Sequence, residues 1–209
     1  YAQESGFYPA DRYPPAAPTV TGIGPSLMSR TYGWPGYLLP HAAGNASLFR
    51  CPARGVEFAW PTNKSLLGFD FPFNIDSTPS RFSYGYNGLH FIYRGGMSTF
   101  NGFGLSPDPA NRAGISTPQV ANPADMIAIG DSDGDGVSDG SISLMRGTPA
   151  SPPIIPPGDV HKKGANIVFC DGHVEWQKQA KWIELTPQAA RRWHYDNQPH
   201  GEWWYRGGP

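Results

Sequence analysis

A chain of 209 residues fits a single domain, 1–209, and at this size it buries roughly 70% of its unfolded surface and folds without staples. A net charge of −1, with basic pairs only at Lys162-Lys163 and Arg191-Arg192, offers no basic stripe and argues against a nucleic-acid partner. No stretch approaches 18 apolar residues and no signal peptide is recognisable, so nothing reads as membrane-spanning.

The first residues, Tyr1-Ala2-Gln3-Glu4-Ser5-Gly6, read as the last turn of a helix closed by a glycine. Residues 7–48 are dominated by Pro, Gly and aromatics and predict an ordered irregular segment; Gly at 26 and Pro at 23 predict long loops throughout. In residues 81–93 the dipeptide Asn87-Gly88 predicts a turn between short aromatic strands. Met126-Ile127-Ala128-Ile129-Gly130 is an apolar run fit for a buried strand. Ala165–Cys170 and His173–Trp176 flank Asp171-Gly172, which predicts a hairpin with a tight turn there. Thr186 as N-cap and Pro187 at the first helical position open a helix over 186–197. The fold class is α+β: an antiparallel sheet, long Gly/Pro-rich loops and a short C-terminal helix.

Between the strands lies an acidic run. Asp131, Asp133 and Asp135 at alternate positions, Gly136 and Asp139 follow the first nine positions of a calcium loop. The twelfth position is Ile142, where a bidentate Glu would stand, so the missing carboxylate must come from elsewhere. Crowded carboxylates repel unless a cation or amide donors neutralise them, and calcium is the cofactor expected at Asp131, Asp133, Asp135 and Asp139. The alternative is an Asp/Gly turn whose carboxylates cap amides. His161, His173, His194 and His200 follow no zinc spacing. His161 and Asp171 have a strand between them and stay apart unless Lys162-Lys163-Gly164 folds back. Serine-nucleophile motifs and Gly-rich phosphate loops are absent from the sequence, no catalytic residue is assigned, and the chain reads as a non-enzyme. Glu202-Trp203-Trp204-Tyr205 either packs the tail onto the domain or stacks on sugar rings.

His161, nine residues, then Asp171-Gly172 resembles the signature of the prepilin-type proteins named for a His-x9-Asp-Gly domain. Further segments resemble that family in the same order: Tyr1–Pro9, Phe49-Arg-Cys-Pro52, Ser83–Asn87, Asn122–Asp131 and Arg191–His200. The resemblance implies a type IV pilin-like or type II secretion pseudopilin-like head in the bacterial envelope, extracellular or periplasmic. Residues 1–6 would then be the end of a long N-terminal helix, which would be the only route to the membrane. Partners would be other pilin-like subunits or copies of the chain. Related pseudopilins hold calcium in a loop of the head; no catalytic role attaches to His161 or Asp171. A secreted module that grips polysaccharide through Trp203 and Trp204 is the second reading. In an oxidising compartment Cys51 and Cys170 are expected to form a disulfide, which would contribute about 4 kcal/mol by closing a long loop. Two separately buried thiols are the alternative.

Overall fold

The computed structural model describes residues 1–9, 34–58, 82–88, 92–94, 97–99, 103–105, 114–133, 140–144, 153 and 155–201. The helical elements are α1 (Ala2–Ser5), α2 (Trp34–Leu38), α3 (Gln179–Trp182) and α4 (Pro187–Ala190). The strands are β1 (Tyr84–Tyr86), β2 (Ile92–Arg94), β3 (Met97–Thr99), β4 (Ile127–Asp131), β5 (Gly164–Phe169) and β6 (Val174–Lys178). Strands β1-β4-β5-β6 form one antiparallel sheet in that order, and β2 and β3 pair separately. The α+β expectation holds at this level.

The period-2 pattern of β5 builds the two faces. Ala165, Ile167 and Phe169 point one way, onto Trp182, Ala190 and Trp193 of the C-terminal helical segment. The opposite face carries Ala128 of β4 and Met126, just before it, against Tyr8, Trp34, Phe49, Phe82 and Tyr86. Trp34 lies between Tyr86 (5.8 Å, stacked) and Phe49 (5.9 Å, edge-on), an arrangement that large aromatic quadrupoles favour. Strand β4 therefore has both faces covered, which explains why its sequence reads as an unbroken apolar run.

The N-terminal turn is as expected. α1 ends at Gly6 in the left-handed region (φ 75), whose N–H returns to the Ala2 carbonyl. Thr186 accepts from the Ala189 N–H and caps α4 as expected, but the helix is shorter than 186–197. It tightens to a 3-10 turn over Arg191–Trp193, and His194 is already extended. Long-range backbone bonds take over there: Tyr195 N–H donates to Phe103 and its carbonyl accepts from Ala121.

Two turn assignments need correction. Asn87-Gly88 follows β1 but is not the turn of a β1–β2 hairpin; β1 pairs with β4 and β2 with β3, and Asn87 is a fully buried core residue. At the β5–β6 hairpin, Phe169 N–H donates to the His173 carbonyl, so the loop has three residues, Cys170, Asp171 and Gly172. It is not a two-residue primed turn, and of the loop residues Gly172 takes positive φ (94). Within the irregular stretch 7–48, residues 10–33 lie outside the described residues.

Candidate metal centre

Cys51, Asp131 and His161 come together at the end of β4, from three distant parts of the sequence. Each is placed by local structure. Asn45 caps the 3-10 turn Ala46–Phe49 by accepting from the Ser47 N–H, and the buried Phe49 ring anchors that turn on Trp34. Two residues on, Cys51 is 2% exposed, and its carbonyl accepts from the Arg54 N–H to close a turn through Pro52.

Asp131 owes its position to a bulge. Ile127 pairs with Phe169 and Ile129 with Val168, so β4 carries one residue more than β5 over this step. Beyond the bulge Ile129 packs on the N-terminal aromatic side, while Gly130 backs onto Ile167 and Ile142 with no room for a Cβ. Asp131 follows on the aromatic side, opposite Tyr84 of β1. Its neighbour in β5 is Asn166, whose backbone N–H (2.7 Å) and side-chain amide (3.1 Å) both donate to Oδ2.

His161 sits on a tight turn that doubles back as β5 begins. His161 and Gly164 exchange N–H···O=C bonds at 3.1 Å in both directions, and Lys162 and Lys163 between them have φ of 56 and 62. That is the mirror-image turn in which both central residues are left-handed. Trp176 Nε1 donates to the His161 carbonyl, and Lys178 Nζ to that of Lys162, which ties the turn to β6.

His161 Nε2 lies 3.3 Å from Cys51 Sγ and 3.4 Å from Asp131 Oδ1, and all three ligand atoms fall within 4.8 Å of one another. Asp131 is 1% exposed and its Oδ1 receives no hydrogen bond. Burial is the main influence on this carboxyl and raises its pKa; the Asn166 N–H, His161 and Arg54 act in the opposite direction. Arg54 Nη2 donates to the Ser132 carbonyl and its guanidinium lies over the Phe58 ring at 4.6 Å. Tyr84 completes the surroundings: burial, then Cys51 and Asp131, push its hydroxyl up to about 12.

No protein-family model, curated protein or solved structure matches the chain in the three comparisons made.

The geometry separates two kinds of chemistry. A nucleophile–base–orienter relay needs the nucleophile on one ring nitrogen and the carboxylate on the other. Here thiol and carboxylate face the same nitrogen, Nε2. Three donors converging on one point suit a shared cation. Asp131, Cys51 and His161 each fall within or beside a segment that carried the family resemblance, but the separation of Cys51 from His161, 110 positions, hid their meeting.

The remaining site expectations fare unevenly. Cys51 and Cys170 are free cysteines and not a disulfide. Cys51 is directed to His161, whereas Cys170 lies in the hairpin loop, packs on the aromatic cluster, and has its thiol pushed up to about 12, chiefly by burial. Asp131 commits Oδ2 to Asn166 and points Oδ1 at His161, a different set of partners from a calcium loop. Asp135 and Asp139 of that loop lie outside the described residues, as do Trp203, Trp204 and Tyr205. His161 and Asp171 occupy opposite ends of β5: Asp171 accepts from His173 through both its backbone N–H (3.1 Å) and Nδ1 (2.6 Å). Gly172 supplies the positive φ that closes the loop.

Proposed function

We propose that the chain is the globular head of a pilin-like or pseudopilin-like subunit, built into or displayed on a filament of a bacterial envelope, with no catalytic role. The observation that carries this reading is the path of the N-terminal turn. α1 is laid against the sheet's aromatic face through Ala2, and the Tyr1 ring meets Tyr37 (5.7 Å) and His41 (5.6 Å) edge-on. Immediately after Gly6, Phe7 bridges to Ser116 and Tyr8 N–H donates to Ile115, so the helical turn passes straight into the core. A helix seated on an antiparallel sheet is the arrangement that the His-x9-Asp-Gly resemblance implies. Among the described residues no helix is long and apolar enough to cross a membrane. In support, the segments of the resemblance serve as scaffold: Asn87 donates to the carbonyls of Ile127 and Trp193 from a fully buried position.

The test is fractionation of cells that produce the protein, followed by immunogold electron microscopy of material sheared from their surface. Gold along filaments, and recovery of the chain with other pilin-like subunits, is the expected result. Recovery only as a monomer in the cytosolic fraction would refute the proposal.

A further inference from the structure

We propose that Cys51, Asp131 and His161 are the protein ligands of one tetrahedral, zinc-type divalent ion that staples three chain segments together.

The ligand separations suit it. Nitrogen and oxygen ligands each about 2.1 Å from a tetrahedral ion are about 3.4 Å apart, and a sulfur at about 2.3 Å lies about 3.6 Å from the nitrogen. Nε2 is 3.4 Å from Oδ1 and 3.3 Å from Sγ, and all three donor atoms lie within 4.8 Å of one another, so side-chain adjustment brings them around one ion. The donor set selects the metal class. Thiolate and imidazole favour zinc and its neighbours, whereas calcium takes an all-oxygen shell.

A second observation points to a ligand independently of the clustering. Asp131 Oδ1 is buried without a hydrogen bond, an arrangement that costs free energy unless something occupies the space in front of it. Meanwhile Oδ2 is held by both Asn166 donors, which fixes the carboxylate plane and leaves Oδ1 aimed at the site. This is the outer-shell support that ligating carboxylates receive. Charge also balances: one thiolate and one carboxylate neutralise a divalent ion. Arg54, the cation beside Asp131, donates to the Ser132 carbonyl and stands outside the ligand set. Three protein ligands leave a fourth position for water, and the His161 side chain, 30% exposed, gives the ion a way in. The inference does not rest on the filament reading, and each can fail without the other.

The full chain, stripped with chelator, is titrated with zinc against a chromophoric competitor and with cobalt(II) by absorption spectroscopy. One equivalent should bind, with a thiolate-to-cobalt charge-transfer band and intense tetrahedral visible bands. Cys51→Ser should abolish the charge-transfer band. His161→Gln, at a half-exposed turn where folding survives, should weaken zinc binding about 100-fold or more, and Asn166→Ala, which touches no metal, by about 10–100-fold. Circular dichroism of each variant separates loss of ligand from loss of fold. The proposal is overturned if zinc does not bind below millimolar concentration, or if binding is indifferent to both Cys51→Ser and His161→Gln. It is equally overturned if calcium binds in preference to zinc, or if peptide mapping of the non-reduced protein shows Cys51 joined to Cys170.

Discussion

Asn87 shows what a single polar side chain does in this core. Its Nδ2 donates at 3.0 Å to the carbonyls of both Ile127 in β4 and Trp193 at the end of the C-terminal helical segment. One amide thus ties together backbone from the sheet and from the layer that covers it. Replacement by Ala leaves two buried acceptors unpaired, and urea denaturation of Asn87→Ala should show a loss of about 2–3 kcal/mol. In sequence, Asn followed by Gly signals a turn, because both tolerate left-handed backbone. The fold overrides that local preference: β4 receives β1, and Asn87 continues past the strand with its N–H on Ala128. Nothing in the dipeptide itself announces that use, since it depends on a partner more than a hundred positions away, Trp193.

At the scale of elements, the two turns that bracket β5 do different work. In the β5–β6 loop, Asp171 accepts from the His173 N–H and ring, and the ring stacks on Phe169 at 4.4 Å. The hydrogen bond to Asp171 raises the His173 pKa above 6.5, while the His173 N–H, followed by its ring, lowers that of Asp171 below 3.8. His173 contributes stability that is complete below 6.5 and is lost as pH rises through its elevated folded pKa. Asp171 contributes stability that is present above 3.8 and is lost as pH falls through its depressed one. NMR titration should find His173 above 6.5, and Asp171→Asn should bring it down. The turn before β5 is strained instead. Lys162 and Lys163 are both left-handed, where a Cβ crowds the following carbonyl. Lys163→Gly removes that crowding at some cost in unfolded-chain entropy, for an expected net gain of about 0.5–1 kcal/mol, whereas Lys163→Val should destabilise; thermal melts read both. The hairpin was legible because alternating apolar residues around Asp-Gly are a local pattern. The His161 turn was not, because Lys-Lys carries no turn signal and is held there by Trp176 and Lys178 of β6.

For the whole molecule, the sheet is an inner layer and Trp193 is where its cover is fastened. Trp193 is fully buried, its Nε1 donates to the Trp182 carbonyl, and its own carbonyl receives Asn87. Trp193→Ala should therefore cost about 3–5 kcal/mol in chemical denaturation, the range for removing a large buried ring. Sequence periodicity revealed the buried strand in the apolar run ending at Gly130, but neither the layers that cover it nor the order of the strands. Sheet order β1-β4-β5-β6 arises from pairings across long loops, and the bulge at Ile127–Ile129 that turns Asp131 toward Cys51 has no signature in the residues that form it. That dependence has a kinetic side. β5 and β6 close a short hairpin loop and β4 reaches β5 across residues 132–163, whereas Cys51 must cross 110 positions to reach His161. Long-range closure comes late in folding, after shorter loops have met their entropy cost. The three donors therefore assemble only once the sheet exists, and the rate at which a refolding chain captures cobalt becomes a clock for its final step.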